Sequence, residues 1–471
     1  MYYRSENKSV CADVIPFYEN GKFYLFYLKD HRDPDGYGIG IPWHLLTTTD
    51  LVHYEEHGTV LDRGTTQEQD LAVFTGSCAK FNDEYYIFYT GHNHLLPEKG
   101  LAQEVIMMAK SKDCIHWEKV PEFRLEAPDW VEPHDFRDPF VYYDEEKKKY
   151  CMLLVGRVKT DIPSNNKGIT MILYSDDLWN WTADETPFYA PQAFFAHECP
   201  DLFKMGDWWY LLFSEFSDKV ATCYRMAKSP NGPWITPKVD TFDGHAYYAA
   251  KSTSDGTRRI LFGWNPIKNH EKDEEFWQWG GTIIPHEIVQ DTDGTLWVKC
   301  PEEIKNQYTS PAALSDGFSM NQVTASENGY KIGQNCGRSI QMLGELPTNC
   351  KVEMEFTTAD EIGDFGVFLR ADEKLDKYYL VRFDPRFNRL TFDKMPRKDA
   401  TIHCHVDVER FCPLIPGKKN TLLMIVEGSV LTVYVNDRIA MSARMFDHES
   451  GDIGLYTHNT EVIFENIRIY K

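Results

Sequence analysis

Between residues 13 and 264 the apolar positions come in short runs of period two, paired across polar turns, and the pairs recur about every 60 residues. The first runs from Asp13-Val-Ile-Pro-Phe-Tyr through Glu-Asn-Gly-Lys into Phe23-Tyr-Leu-Phe-Tyr27. The second is Ser77-Cys-Ala-Lys-Phe, Asn-Asp, Glu84-Tyr-Tyr-Ile-Phe-Tyr89. Asp138-Pro-Phe-Val-Tyr-Tyr turns through charged residues into Tyr150-Cys-Met-Leu-Leu-Val155, and Glu198-Cys-Pro-Asp-Leu-Phe turns at Gly206-Asp207 into Trp208-Trp-Tyr-Leu-Leu-Phe213. A shorter fifth version joins Tyr248-Ala-Ala-Lys-Ser to Ile260-Leu-Phe-Gly-Trp264. Aromatic and β-branched residues flanking turns of Asn, Asp and Gly predict β-hairpins. A fixed long period with several strands per unit predicts a propeller or an array.

A second repeat runs in phase with the first. Thr48-Thr-Asp50-Leu-Val-His-Tyr54, Ser111-Lys-Asp113-Cys-Ile-His-Trp117 and Ser175-Asp-Asp177-Leu-Trp-Asn-Trp181 share a hydroxyl, an Asp two later and an aromatic four beyond. Ser229-Pro-Asn-Gly-Pro-Trp234 is a degenerate fourth copy. Asp in such a segment bonds its own turn backbone and the aromatic packs between sheets, so these Asp residues are expected to be structural.

From about residue 311 the pattern changes to alternating strands without leading acids, among them Lys351–Phe356, Gly366–Arg370, Tyr378–Phe383, Thr421–Val426 and Val430–Val435. Short strands at this spacing predict a β-sandwich. The expected division of the 471 residues is a repeat domain over 1–305 and a sandwich over 311–471. A formal charge of −22 argues against nucleic acid or an anionic membrane as partner and leaves a neutral ligand open. The start, Met1-Tyr-Tyr-Arg-Ser-Glu-Asn-Lys, has no apolar signal run, and the eleven cysteines show no C-x-x-C pair. Reduced thiols in a cytoplasmic protein are expected, with no zinc site and no other metal or cofactor.

Asp13, Asp138 and Glu198 differ from the turn Asp residues, because each stands at the head of a repeat unit in an apolar or restricted setting. Equivalent positions in a circular repeat converge, so the three carboxylates are expected to meet at the axis. Glycosidic bond cleavage needs such a set: one acid protonates the leaving oxygen and one carboxylate attacks or activates water. Arg137 and Asp138 are neighbours on a strand and should face opposite ways. Aligning Pro200 with Pro139 puts Cys199 opposite Asp138, so Glu198 is one residue out of register.

The motifs Arg137-Asp138-Pro139, Glu198-Cys199-Pro200-Asp-Leu-Phe, Phe74-Thr-Gly-Ser77, Trp43 with Thr48–Tyr54, and Asp243-Gly-His-Ala-Tyr-Tyr248 together resemble glycoside hydrolase family 32, the β-fructosidases. The tail Leu431–Met445 resembles that family's C-terminal sandwich. The resemblance implies an all-β fold, a five-bladed β-propeller with a C-terminal β-sandwich, and no metal or other cofactor. It implies a retaining hydrolase that releases terminal β-D-fructofuranosyl units from sucrose or short fructo-oligosaccharides, with a small carbohydrate as substrate and the oligomeric state left open. Carried over by motif, Asp13 matches the nucleophile, Glu198 the acid/base and Asp138 the carboxylate that holds fructose hydroxyls, with Arg137 opposing its charge and keeping it ionised. Double displacement would set the Asp13 and Glu198 carboxyls about 5–5.5 Å apart.

Further substrate contacts are expected from Trp43, Phe74, Ser77, His197 and Tyr248. Sugar faces stack on aromatics, and of Trp43, Phe74, Trp277 and Trp279 the first two are preferred. This chain departs from the family where Cys11-Ala12 and Val14-Ile15 flank Asp13, where His197 stands for a Trp, and at Ala246. The alternatives are a fructosyltransferase, a related inverting arabinosidase or xylosidase, and a non-catalytic carbohydrate-binding propeller.

Overall fold

The computed structural model describes residues 1–6, 9–33, 35–161, 163–394 and 405–471. The hairpins fold as the pattern predicts. Val10–Glu19 pairs with Lys22–Asp30 across Asn20 and Gly21, both at positive φ (50° and 80°), and Ala72–Phe81 pairs with Glu84–His92 across Asn82 and Asp83 at 52° and 61°. Two left-handed residues between paired strands give the turn whose twist matches the strands. Successive antiparallel strands then extend each hairpin outward, as in Arg137–Asp144, Lys149–Arg157 and Gly168–Ser175, or Glu198–Met205, Trp208–Glu215 and Ala221–Ala227. The last group, Tyr248–Ser254, Arg259–Lys268 and Trp277–Gln290, meets the first through Gly281 opposite Cys11. That contact closes a β-propeller.

The in-phase Asp repeat is structural. Asp50, Asp113 and Asp177 each accept two backbone N–H groups of their own turn at 2.7–3.0 Å. The hydroxyls of Thr48, Ser111 and Ser175 accept the N–H two residues on, and Ser229 does the same for Asn231 in the fourth copy. Tyr54 and Trp181 fold back onto the carbonyls of Leu51 and Leu178.

Each leading strand carries a bulge near its start, between Ala12 and Val14, Phe74 and Gly76, Arg137 and Phe140, Glu198 and Asp201, and Tyr248 and Lys251. Asp13, Asp138, Cys199 and Ala249 take left-handed φ of 31°, 58°, 52° and 51° there. A bulge breaks the alternation of faces and re-aims the side chains on either side of it. This accounts for the register of Glu198. Cys199 does occupy the backbone place of Asp138, and Glu198 is the residue just before the bulge.

The rest of the chain forms two antiparallel sheets packed face to face, with Val352, Met354, Phe356, Phe365, Val367, Met424, Leu431 and Val433 among the core between them. The four-residue helix Glu302–Lys305 stands between the propeller's last strands and this sandwich. Buried polar groups lock the two together. Asp243 accepts from the Ser442 hydroxyl and backbone N–H, His286 bridges Asp243 and the Tyr434 hydroxyl, and fully buried Arg444 donates to the carbonyls of Asn265 and Pro266.

Candidate active site

The bulges deliver their residues to one cleft of about 320 Å³ at the propeller's axial mouth. Asp13, Phe74, Arg137, Asp138, Glu198 and Tyr248 line it together, with Thr75, Gln103, Glu104, His134, Asp135 and Trp279. A larger cleft, about 780 Å³, lies between the propeller and the sandwich near Asp240, His245, Phe387 and Arg410. It holds none of the three leading acids, and its Asp240 is paired with Lys219 and Arg225. The chemistry therefore belongs to the smaller cleft.

Asp138 forms the floor, 4% exposed, accepting the Cys199 N–H at 2.8 Å while its own N–H donates to Thr90 Oγ1. Burial pushes its pKa up to about 7, with Arg137 working against that and Glu198 adding to it. Arg137 favours the charged form of Asp138, as expected, while desolvation works in the other direction. The guanidinium hydrogen bonds run elsewhere: to Glu198 Oε1 at 3.1 Å, Asp135 Oδ1 at 3.0 Å and Glu104 Oε2 at 3.3 Å.

Both oxygens of Asp13 are held, by the Thr75 hydroxyl at 2.6 Å and the Trp264 indole N–H at 3.0 Å. Burial raises its pKa to about 6; these two donors pull it down and Glu198 pushes it up. Glu198 is fixed at both oxygens as well, since the Tyr248 hydroxyl donates to Oε2 at 2.8 Å and Arg137 to Oε1. Three carboxyls thus face one small cavity, two of them reluctant to ionise. Such a set can both attack a carbon and hand a proton to its leaving group.

Three expected substrate contacts lie elsewhere. Trp43 is 0% exposed in the core, its indole N–H donating to the Phe74 carbonyl at 3.2 Å, because a large apolar ring on an inner strand packs between strand groups rather than into the cleft. Ser77 is buried too, and its hydroxyl accepts the Val141 N–H of the next strand group at 3.0 Å. His197 is 0% exposed, packed at a tilt against Phe213 with ring centroids 4.6 Å apart and Nδ1 3.2 Å from Thr170 Oγ1. Burial lowers its pKa to about 3, with Arg225 acting in the same direction, which favours the neutral ring. Of the two Trp residues set aside, Trp279 lines the cleft, 36% exposed, whereas Trp277 packs on the sandwich core.

The family model described as "Glycosyl hydrolases family 32 N-terminal domain" matches residues 15–300, and that described as "Glycosyl hydrolases family 32 C terminal" matches residues 322–471. The chain belongs to glycoside hydrolase family 32. It is a glycoside hydrolase, an all-β protein of propeller and sandwich. This family 32 chain is 24% identical to sucrose-6-phosphate hydrolase of Escherichia coli over 96% of its own length and 90% of that protein. It is 27% identical to the levanbiose-producing levanase of Bacillus subtilis (strain 168) over 96% and 87%. In fold it is similar to fructan 1-exohydrolase IIa from Cichorium intybus (TM-score 0.75, 16% identity, 100% and 96% covered) and to sucrose-6-phosphate hydrolase from Lactobacillus gasseri (TM-score 0.72, 19% identity, 98% and 90% covered).

Several residues of the family 32 cleft escaped the sequence reading, and some left a signal. Thr75 sits inside the quoted Phe74–Ser77 motif. Trp264 is the strand partner of Tyr248, so the fifth hairpin already paired them. Asp135 precedes Arg137 by two, in the bend that leads into its strand. Glu104, opposite His92, left none: it opens a third strand, Glu104–Ser111, where no repeat marks an acid.

Proposed function

We propose that this family 32 enzyme is a retaining β-fructosidase that removes terminal non-reducing β-D-fructofuranosyl units from sucrose or short fructo-oligosaccharides. The observation that carries the reading is the convergence of Asp13, Asp138 and Glu198 on one cleft with both oxygens of Asp13 and of Glu198 already oriented. The names of the relatives, which concern sucrose-6-phosphate and levan, support a fructoside as substrate.

Glu198 gives its proton to the glycosidic oxygen as the bond to the fructosyl anomeric carbon breaks. Asp13 attacks that carbon, and the ester formed is opened by water from which Glu198 takes a proton back. Thr75 and Trp264 aim the attacking oxygen, so little reorganisation accompanies the step. Asp138 lies beneath the ring, where it holds hydroxyls and meets the positive charge of the oxocarbenium-like transition state. The eleven cysteines without a disulfide framework support a cytoplasmic setting, and among the described residues no helix is long and apolar enough to cross a membrane.

The test is fructose release from sucrose, 1-kestose, inulin and levan, with methanol as a competing acceptor. Methyl β-D-fructofuranoside is the expected transfer product. The α-anomer would overturn retention, and release of fructose by Asp13→Asn at the wild-type rate would remove the nucleophile.

A further inference from the structure

The cleft carries more negative charge than the proposed chemistry uses. Besides the three acids named in the mechanism, Glu104 and Asp135 line it, while Arg137 is the one lysine or arginine among its described lining residues. Arg137 is bonded to three carboxylates, Glu104, Asp135 and Glu198. Arg157, next along the wall, donates to the second oxygen of Asp135 at 3.1 Å and to the Asn165 carbonyl, and its guanidinium lies 3.7 Å above the Phe195 ring. Arg32, which touches the cleft residue Trp279, is bound by Asp30 and by the Trp279 carbonyl. Every cation that borders the cleft in these contacts is thus turned to protein acceptors.

The deep end of the cleft is the Asp138 floor, and the exposed members are His134 and Trp279, so a departing sugar lies toward Gln103, His134, Asp135 and Trp279. A phosphomonoester on that sugar would enter as a dianion beside Asp135 with, among the described lining residues, no lysine and no arginine other than the acid-bound Arg137 to receive it. A neutral sugar meets there the polar edges of Gln103 and His134 and an aromatic face, as hydroxyls and C–H faces require.

We infer that the enzyme selects uncharged fructosides and rejects those whose departing sugar bears a phosphate, with Asp135 as the residue that sets the discrimination by placing its charge on the wall and tying down Arg137 and Arg157. The inference rests on the β-fructosidase reading and names the substrate class of that same cleft. It separates this chain from the relatives named for sucrose-6-phosphate, with which it shares the family.

The experiment compares kcat/KM for sucrose, 1-kestose and sucrose-6-phosphate, at about 0.01 M and about 1 M salt, where the screening length falls from about 30 to about 3 Å. The expected result is a preference for sucrose or 1-kestose over sucrose-6-phosphate on the order of tenfold or more at low salt, as like charges in a partly enclosed site require. The preference narrows at high salt, which steric exclusion would not do. Asp135→Asn narrows it further, by raising the phosphorylated substrate relative to sucrose. Equal or faster cleavage of sucrose-6-phosphate at low salt overturns the inference and leaves the fructosidase reading standing. A preference that neither salt nor Asp135→Asn alters overturns the assignment of Asp135. Fructose from none of the three overturns the fructosidase reading and the inference with it.

Discussion

Asp138 should cost the fold stability at the pH where the enzyme works, and Asp138→Asn should recover it. The carboxyl is 4% exposed, and its pKa is raised from 3.8 to about 7. A raised carboxyl favours folding fully below its unfolded value near 4, and that contribution is lost as pH rises through about 7. Three units at about 1.4 kcal/mol each set an upper bound of about 4 kcal/mol. The amide keeps an oxygen for the Cys199 N–H but brings an NH₂ that needs an acceptor, so a net gain of about 2 kcal/mol at pH ~8 is expected. With unfolding entropy near 2.1 cal/mol/K per residue, that raises Tm by about 2 °C in a chain of this length. Thermal melts of wild type and variant across about pH 4 to 8 read the effect directly. The gap should close toward the acid end, while turnover of fructosides is lost throughout. A variant less stable than wild type at pH ~8, or a difference that does not change with pH, would refute the reasoning.

Asp13 attacks only when ionised, so kcat/KM should fall as pH drops through about 6; Thr75→Val removes a bond to the charged form and should move that acid limb up by about one unit, read from the pH profile. Tyr248→Phe takes away the 2.8 Å bond to Glu198 and should lower kcat roughly three- to tenfold, with KM changed less, in steady-state assays. Trp43→Phe should cost about 1–3 kcal/mol of stability by opening a cavity and removing the indole bond to the Phe74 carbonyl, with KM for fructosides unchanged; a raised KM at constant Tm would return Trp43 to the cleft. His197→Phe should leave the pH profile as it is, since the ring is neutral and walled off.

The hairpins were readable because period-two alternation and Asn-Gly or Asn-Asp turns are local properties of the chain. Convergence of Asp13 and Asp138 followed from their shared place in the repeat, with Glu198 one residue before it, and the family motifs implied the roles. What the sequence hid is set by packing and by bulges. The residue count alone puts Glu198 out of register; only the left-handed backbone at Asp138 and Cys199 shows why it still reaches the cleft. Trp43 and His197 carry the right chemistry for sugar binding, yet fully buried neighbours claim both. Glu104 answers Arg137 across strands that no local pattern relates, so it became visible only when the propeller closed.

The central claim is that Asp13 becomes covalently attached to fructose. Slowing the second step with Glu198→Gln and mapping peptides by mass spectrometry after exposure to an activated fructoside tests it most directly. One fructosyl unit on the peptide that carries Asp13, absent from Asp13→Asn, is the predicted result. A fructosyl unit on Asp138, or turnover with none at any acid and an inverted methyl fructoside, would contradict the account.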